Sequence, residues 1–158
     1  MSMIFTDLQN GVATLLSDSA FFAGPVATPV RADGALESAN AKPLETAKAL
    51  QNDLNTVGIS TLITKPEVAS ESAEGTTHAI ASVSVIVVQN VTKNFGDDGT
   101  GSTAYATIEQ AMALLVGQRI TIWTPLLFNG LNQLEVNSEG LEAWELKLQT
   151  RTLIIEES

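Results

Sequence analysis

Apolar residues recur at helical spacing through Ile4, Phe5, Leu8, Val12, Leu15 and Leu16, which predicts an amphipathic helix from about Ile4 to Ser17. From Asp18 to Ala41 that rhythm stops. Gly24, Pro25, Pro29 and Gly34 break a stretch of small residues in which Phe21, Phe22 and Val26 are the candidate anchors. An irregular stretch longer than about 15 residues is unusual inside a compact domain and points to an arm or an insertion. Helical spacing returns with Leu44, Ala47, Leu50, Leu54 and Val57. Asn40 is placed to cap this second helix, Pro43 suits its first turn and Gly58 ends it.

The pattern then changes period. Ile59 to Thr64 reads as a strand, and Pro66 to Thr77, rich in Glu, Ser and Gly, as an exposed loop. The strand from about His78 to Val91 contains SVSVIVVQNV; its alternation becomes continuous at Val85 to Val88, which predicts cover on both faces there. A loop from Lys93 to Gly101 leads to a third helix, about Ser102 to Val116, lined by Tyr105, Ile108, Met112 and Leu115 and closed by Gly117. Arg119 to Trp123 reads as a short strand, interrupted by Pro125. A hairpin follows, with arms at about 131–136 and 141–155 joined at Asn137 to Gly140. In its second arm Trp144, Leu146, Leu148, Thr150 and Thr152 alternate with Glu145, Lys147, Gln149 and Arg151, so one face is buried and the other polar.

At 158 residues the chain has the size of a single domain, which at about 150 residues buries roughly 70% of its unfolded surface. The helix that precedes the irregular 18–41 segment is too short to fold alone, so residues 1–158 read as one α/β unit carrying an arm or insertion. Charged residues are 16% of the chain, against a usual value of about 25%. Much of the surface must therefore be uncharged polar residues, or be covered by another subunit. The formal charge is -10, and the eight basic residues are scattered singly, which disfavours the Lys/Arg patch that phosphate backbones require. With no cysteine and one histidine, His78, thiol chemistry and multi-histidine metal sites are excluded. The opening MSMIFTDLQNGV lacks a positive n-region, and no run approaches the roughly 20 apolar residues of a bilayer span. Cytoplasmic synthesis and no membrane partner are the expectation.

Candidate chemistry is thin. GDDGTGST, Gly96 to Thr103, lies between a strand and a helix and nearly fits a phosphate-binding loop, but Ser102 stands where that loop needs lysine, and Asp97 and Asp98 add repulsion. The same adjacent aspartates lack the alternating spacing and downstream bidentate Glu of a calcium loop. Ser102 or Thr103 reads better as a helix cap. Glu142 and Glu145 fall on opposite strand faces, which does not make a hydrolytic pair, and His78 has no G-x-S-x-G elbow to serve. No catalytic, cofactor or metal residue is assigned. Trp123, Pro125, Leu127 and Phe128 form an apolar cluster that either completes the core or meets another subunit.

The runs SVSVIVVQNVTKN, TAYATIEQAMALLVG, TPLLFNGLNQLEV and EAWELKLQTRTLI, with the closing Thr150, Arg151 and Thr152, resemble the tail-terminator proteins of tailed bacteriophages and prophages. The resemblance covers about half the chain, and the 18–41 segment departs from it. It implies an α+β subunit: a mixed, mostly antiparallel sheet with two to three helices packed on it, ending in the C-terminal hairpin. It further implies a ring, commonly hexameric, that caps the tail tube, meets the head connector or neck protein, and lets DNA pass through an acidic lumen without specific binding. Such a subunit catalyses nothing and is assembled in the host cytoplasm into the virion tail. On that reading Lys93, Asp97, Asp98 and Thr100 form a loop contacting a neighbouring subunit or the tube, and Arg119 and Arg151 pair with carboxylates across subunits. The alternatives are another tail or neck component, such as a stopper or tube subunit, and a small acidic ligand-binding domain or enzyme.

Overall fold

The computed structural model describes residues 4–23, 29–32, 43–73, 76–96, 103–136 and 140–152. In chain order the elements are α1 (Ile4–Ser17), β1 (Val30–Ala32), α2 (Pro43–Thr56), β2 (Ile59–Ile63), β3 (Glu67–Ala73), β4 (Thr76–Asn90), α3 (Val91–Asn94), α4 (Ala104–Leu115), β5 (Leu127–Leu134) and β6 (Leu141–Arg151). They build the expected α+β architecture. The six strands form one sheet in the order β1-β2-β4-β6-β5, with β3 also paired to β4. Among the described residues only the β1–β2 pair is parallel, and the other strand pairs are antiparallel. The hairpin β5–β6 closes the chain as expected, its first arm starting four residues earlier than the pattern indicates.

The β4 strand is the axis of the sheet. Its burial alternates along the described length, with Ala81, Val83, Val85 and Val87 buried and Ser82, Ser84, Ile86 and Val88 half-buried. The buried set shares an inner face with Ile59 and Ile63 of β2 and Leu146 and Leu148 of β6. Leu8, Val12 and Leu16 of α1 and Ala104, Ile108, Ala111 and Leu115 of α4 cover this face and join it in one core cluster. Small residues on α4 let it lie close to the sheet. Tyr105, expected on the buried side of this helix, is 43% exposed at its flank and packs edge-on against Trp144, with ring centroids 4.9 Å apart. The Gln9 side chain crosses from α1 to donate from Nε2 to the Ile63 carbonyl, 3.0 Å away.

The outer face is covered only in part. α2 reaches it through Asp53, a residue in no apolar pattern. Asp53 is buried and accepts from Arg31 Nε and a second guanidinium nitrogen, at 2.9 and 2.7 Å, and from Ser60 Oγ at 2.6 Å. The hydrogen bond to Asp53 raises the Arg31 pKa, so the guanidinium stays charged and holds β1, α2 and β2 together. Leu54 and Ala143 are buried outside the main cluster. Ile86 and Val88 remain half-buried, so the expected cover of 85–88 on both faces is incomplete within one chain.

Two further expectations are corrected. The 66–77 segment is no loop: Glu67–Ala73 is strand β3, paired residue for residue with Thr76–Ser82. Glu67 to Ser72 are all exposed, so no face demands apolar alternation and backbone pairing alone sets the strand. The Arg119–Trp123 stretch is a turn with Thr121 at φ 46°, and its one ladder contact is the Trp123–Thr152 bridge. Within the irregular 18–41 segment lies the three-residue β1, too short for any period to show. α3 adds a single helical turn, capped by the Asn90 side chain, at the start of the expected 93–101 loop. Asn40, Val26 and residues 153–155 lie outside the described residues.

Gly58 is the tightest joint. Its φ is +93°, its N–H donates to the Asp53 carbonyl, and its carbonyl accepts from Asn90 N–H at 2.7 Å. A Cβ here would lie 2.3 Å from the Asn94 backbone nitrogen. Gly58→Ala is expected to cost at least about 2 kcal/mol of stability in denaturant titration, combining the left-handed backbone with a clash against backbone atoms. Gly140→Ala, at φ +80° with no described atom within 4 Å of its Cβ, should cost only about 1 kcal/mol.

Candidate functional site

The sequence-predicted contact residues do not converge. Lys93 sits on α3, just beyond the Asn90 end of β4. Arg151 ends β6 opposite Ile80, ten residues back along β4, a separation of about 33 Å at the usual strand rise. Arg119 is exposed in the turn after α4. That turn is tied to the Arg151 end, where Thr124 N–H donates to the Arg151 carbonyl and Trp123 bridges Thr152. Arg119 and Arg151 thus mark one end of the molecule and Lys93 the other. Asp97, Asp98 and Thr100 lie outside the described residues. Arg151 already has a partner within its own chain, Glu71 of β3 at 3.7 Å, with both side chains more than half exposed. So open a pair contributes well under about 1 kcal/mol and can be re-partnered.

Several side chains weighed for catalysis make structural contacts. Thr103 caps α4, its hydroxyl accepting from Ala106 N–H at 3.0 Å. Glu142 accepts from Gln89 Nε2 and Trp144 Nε1, at 3.0 and 2.7 Å, and Gln89 in turn accepts from Asn94 Nδ2. Glu145 points to the outer face beside Lys147, as the period of two requires. His78 stands opposite Glu71 in the β3–β4 ribbon. Among the described residues no cluster of three or more His, Cys, Asp or Glu is placed to hold a metal ion, and no helix is long and apolar enough to cross a membrane.

A groove of about 490 Å³ lies on the outer face, between the β2–β3 break at Thr64–Pro66 and β5. Lys65 and Glu67 line one side of it and Glu145 and Lys147 the other, with Ser82 and Ser84 of β4 between them. Charges of both signs balance, and no histidine lines the groove to activate either hydroxyl. It is a polar surface suited to a polar partner.

The apolar 123–128 cluster divides instead of acting as one unit. Trp123 is fully buried, donates from Nε1 to the Ile4 carbonyl at 3.1 Å and packs at 5.7 Å from the Phe5 ring. Leu126 is buried with it, whereas Ile122, Leu127 and Phe128 are 50, 59 and 52% exposed. A second exposed pair, Val91 and Phe95, lies one helical turn apart at the opposite end. Exposed apolar groups grouped at sheet edges and ends mark contact surfaces more often than pockets do in a chain this poor in charge.

No family model and no curated protein matches the sequence. The fold, however, has a solved counterpart. The chain is similar to one from the virion of a native gene transfer agent particle, with a TM-score of 0.65. The likeness covers 96% of this chain and 98% of that chain at 20% sequence identity. At that identity it establishes a shared fold, and it extends through the N-terminal half, where the sequence resemblance is silent.

Because Leu127 and Phe128 are exposed while Trp123 is enclosed, their substitution should separate surface from core. Leu127→Ser with Phe128→Ser is expected to change unfolding free energy by no more than about 1 kcal/mol, against a loss of about 3–5 kcal/mol for Trp123→Ala, measured by urea denaturation.

Proposed function

We propose that this chain is a structural subunit of a tailed-phage-type virion and, within it, the ring-forming tail terminator that caps the tail tube and joins it to the head connector, catalysing no reaction. The carrying observation is the fold likeness along nearly the whole of both chains to a protein of the gene transfer agent virion. That likeness supports a virion role in general; the terminator role rests on the resemblance of the Ser82–Ile155 runs. The surface is consistent with assembly in three respects: low charge content, exposed apolar side chains at both ends of the sheet, and a groove without a catalytic constellation. The -10 charge suits a lumen that passes DNA without holding it. A subunit of the tube or of the neck is the second reading, since a virion likeness favours it equally.

Adding the purified protein to polymerising tail tubes tests the role. A terminator stops growth and leaves tubes shorter, with the protein at one end only in immuno-electron micrographs. Unchanged tube length sinks the terminator reading, and label along the whole tube identifies a tube subunit.

A further inference from the structure

We infer that the free edge of β5 pairs with the free edge of β3 from a second copy of this chain, so that the sheet continues antiparallel from subunit to subunit. Among the described residues, β5 pairs only with β6 and β3 only with β4, which leaves two long edges with open backbone groups. Soluble monomers guard such edges with charge, proline or brevity. β5 uses none of these: Leu127–Leu134 reads LFNGLNQL, eight residues without a charge or a proline, and its first two side chains are more than half exposed. An edge of this kind is built to be covered.

Geometry and charge select the partner. Strand direction alternates from β3 through β4 and β6 to β5, so a copy added in the same orientation brings its β3 antiparallel to β5. With the bulged Asn129 set aside, β5 presents seven ladder positions to the seven of β3. Aligning these seven with seven places Gly130 opposite Glu71 and Asn132 opposite Ala69. Inner and outer faces then match, because Gly130 shares the outer face with Lys147, and Glu71 shares it with His78 and Ser82. Lys147 therefore lies in one row with the Glu71 of the neighbour, separated only by Gly130, whose missing side chain leaves a lane with no described atom within 4 Å. Among the described residues Lys147 pairs only with its strand neighbour Glu145 at 3.9 Å, and Glu71 only with Arg151 at 3.7 Å, so both have capacity for a second partner. A two-fold pairing of β5 with β5 offers Lys147 no carboxylate. Within one chain the two edges overlap only at the row through Glu67, Ser82, Gln149 and Leu127, so full pairing shifts each copy along the strands by nearly the length of β3. Stagger of this kind tilts strands as closure into a barrel or ring requires.

The inference gives the ring of the proposed function its contact and rests on that reading only in requiring that copies associate. The chain has no cysteine, so cross-linking in the full-length protein is clean. Asn132→Cys combined with Ala69→Cys should give, on oxidation, a ladder of covalent multimers in non-reducing gels, at least tenfold above either single variant. Asn132→Cys with Ser72→Cys, whose side chains point to opposite faces, should not. Lys147→Glu should reduce the oligomer fraction in native mass spectra, and adding Glu71→Lys should restore it. Multimers that form without the Asn132–Ala69 ladder overturn the edge pairing and leave the ring standing on another surface. Efficient dimers from Asn132→Cys alone overturn it in favour of β5 meeting β5. A protein monomeric at every concentration overturns it as well, and tube capping then judges the terminator reading separately.

Discussion

Val83, Val85 and Val87 lie on one face of a fifteen-residue strand, and that face must be kept from water. The remaining layout follows from this requirement. β2 and β6 extend the apolar face on either side of β4, α1 and α4 roof it, and Trp123 joins the same cluster against the start of α1. Burial at roughly 25 cal/mol per Å² of apolar surface makes this layer the main source of stability. The outer face contributes differently, through a charged clasp of Asp53 with Arg31 and Ser60 and through polar side chains in contact with solvent.

The elements legible in the sequence were those whose burial is one-sided and long. α1 ends at the residues its periodicity indicates, and β6 shows its alternation from Leu146 to Thr152. What the sequence concealed was structure with no buried face or too little length. β3 is made of Glu, Ser, Ala and a single exposed Val because backbone pairing holds it, and a sequence pattern records only side-chain environments. β1 has three residues, fewer than two periods of a strand. Asp53 shows a different limit: a carboxylate on a helix reads as solvated until Arg31 and Ser60, distant or on another element, are seen to converge on it.

The sequence suggests a contact surface without placing it. Low charge and exposed apolar residues both pointed to a partner, yet the named arginines and lysine divide between two ends of the molecule. The Trp123–Phe128 cluster was ambiguous because one short segment serves both purposes. Leu127, opposite Gln149, and Phe128, opposite Leu148, fall on different faces of the sheet, yet both stay exposed on the edge strand β5. Gly130 carries no signal of its own in the sequence. In the sheet it is a gap in the side-chain layer between a lysine and the open edge.

The span of β4 has a mechanical consequence. This strand runs from the β3 ribbon at one end to the Gly58–α3 joint at the other, gripped along one edge by β2 and β3 in turn and along the other by β6. Inter-strand hydrogen bonds lie perpendicular to the strands, so tension along β4 loads many of them together in shear and does not peel them one by one. A subunit strung between partners at its two ends would therefore resist axial load through its backbone, while the helices on the inner face bear little of the force.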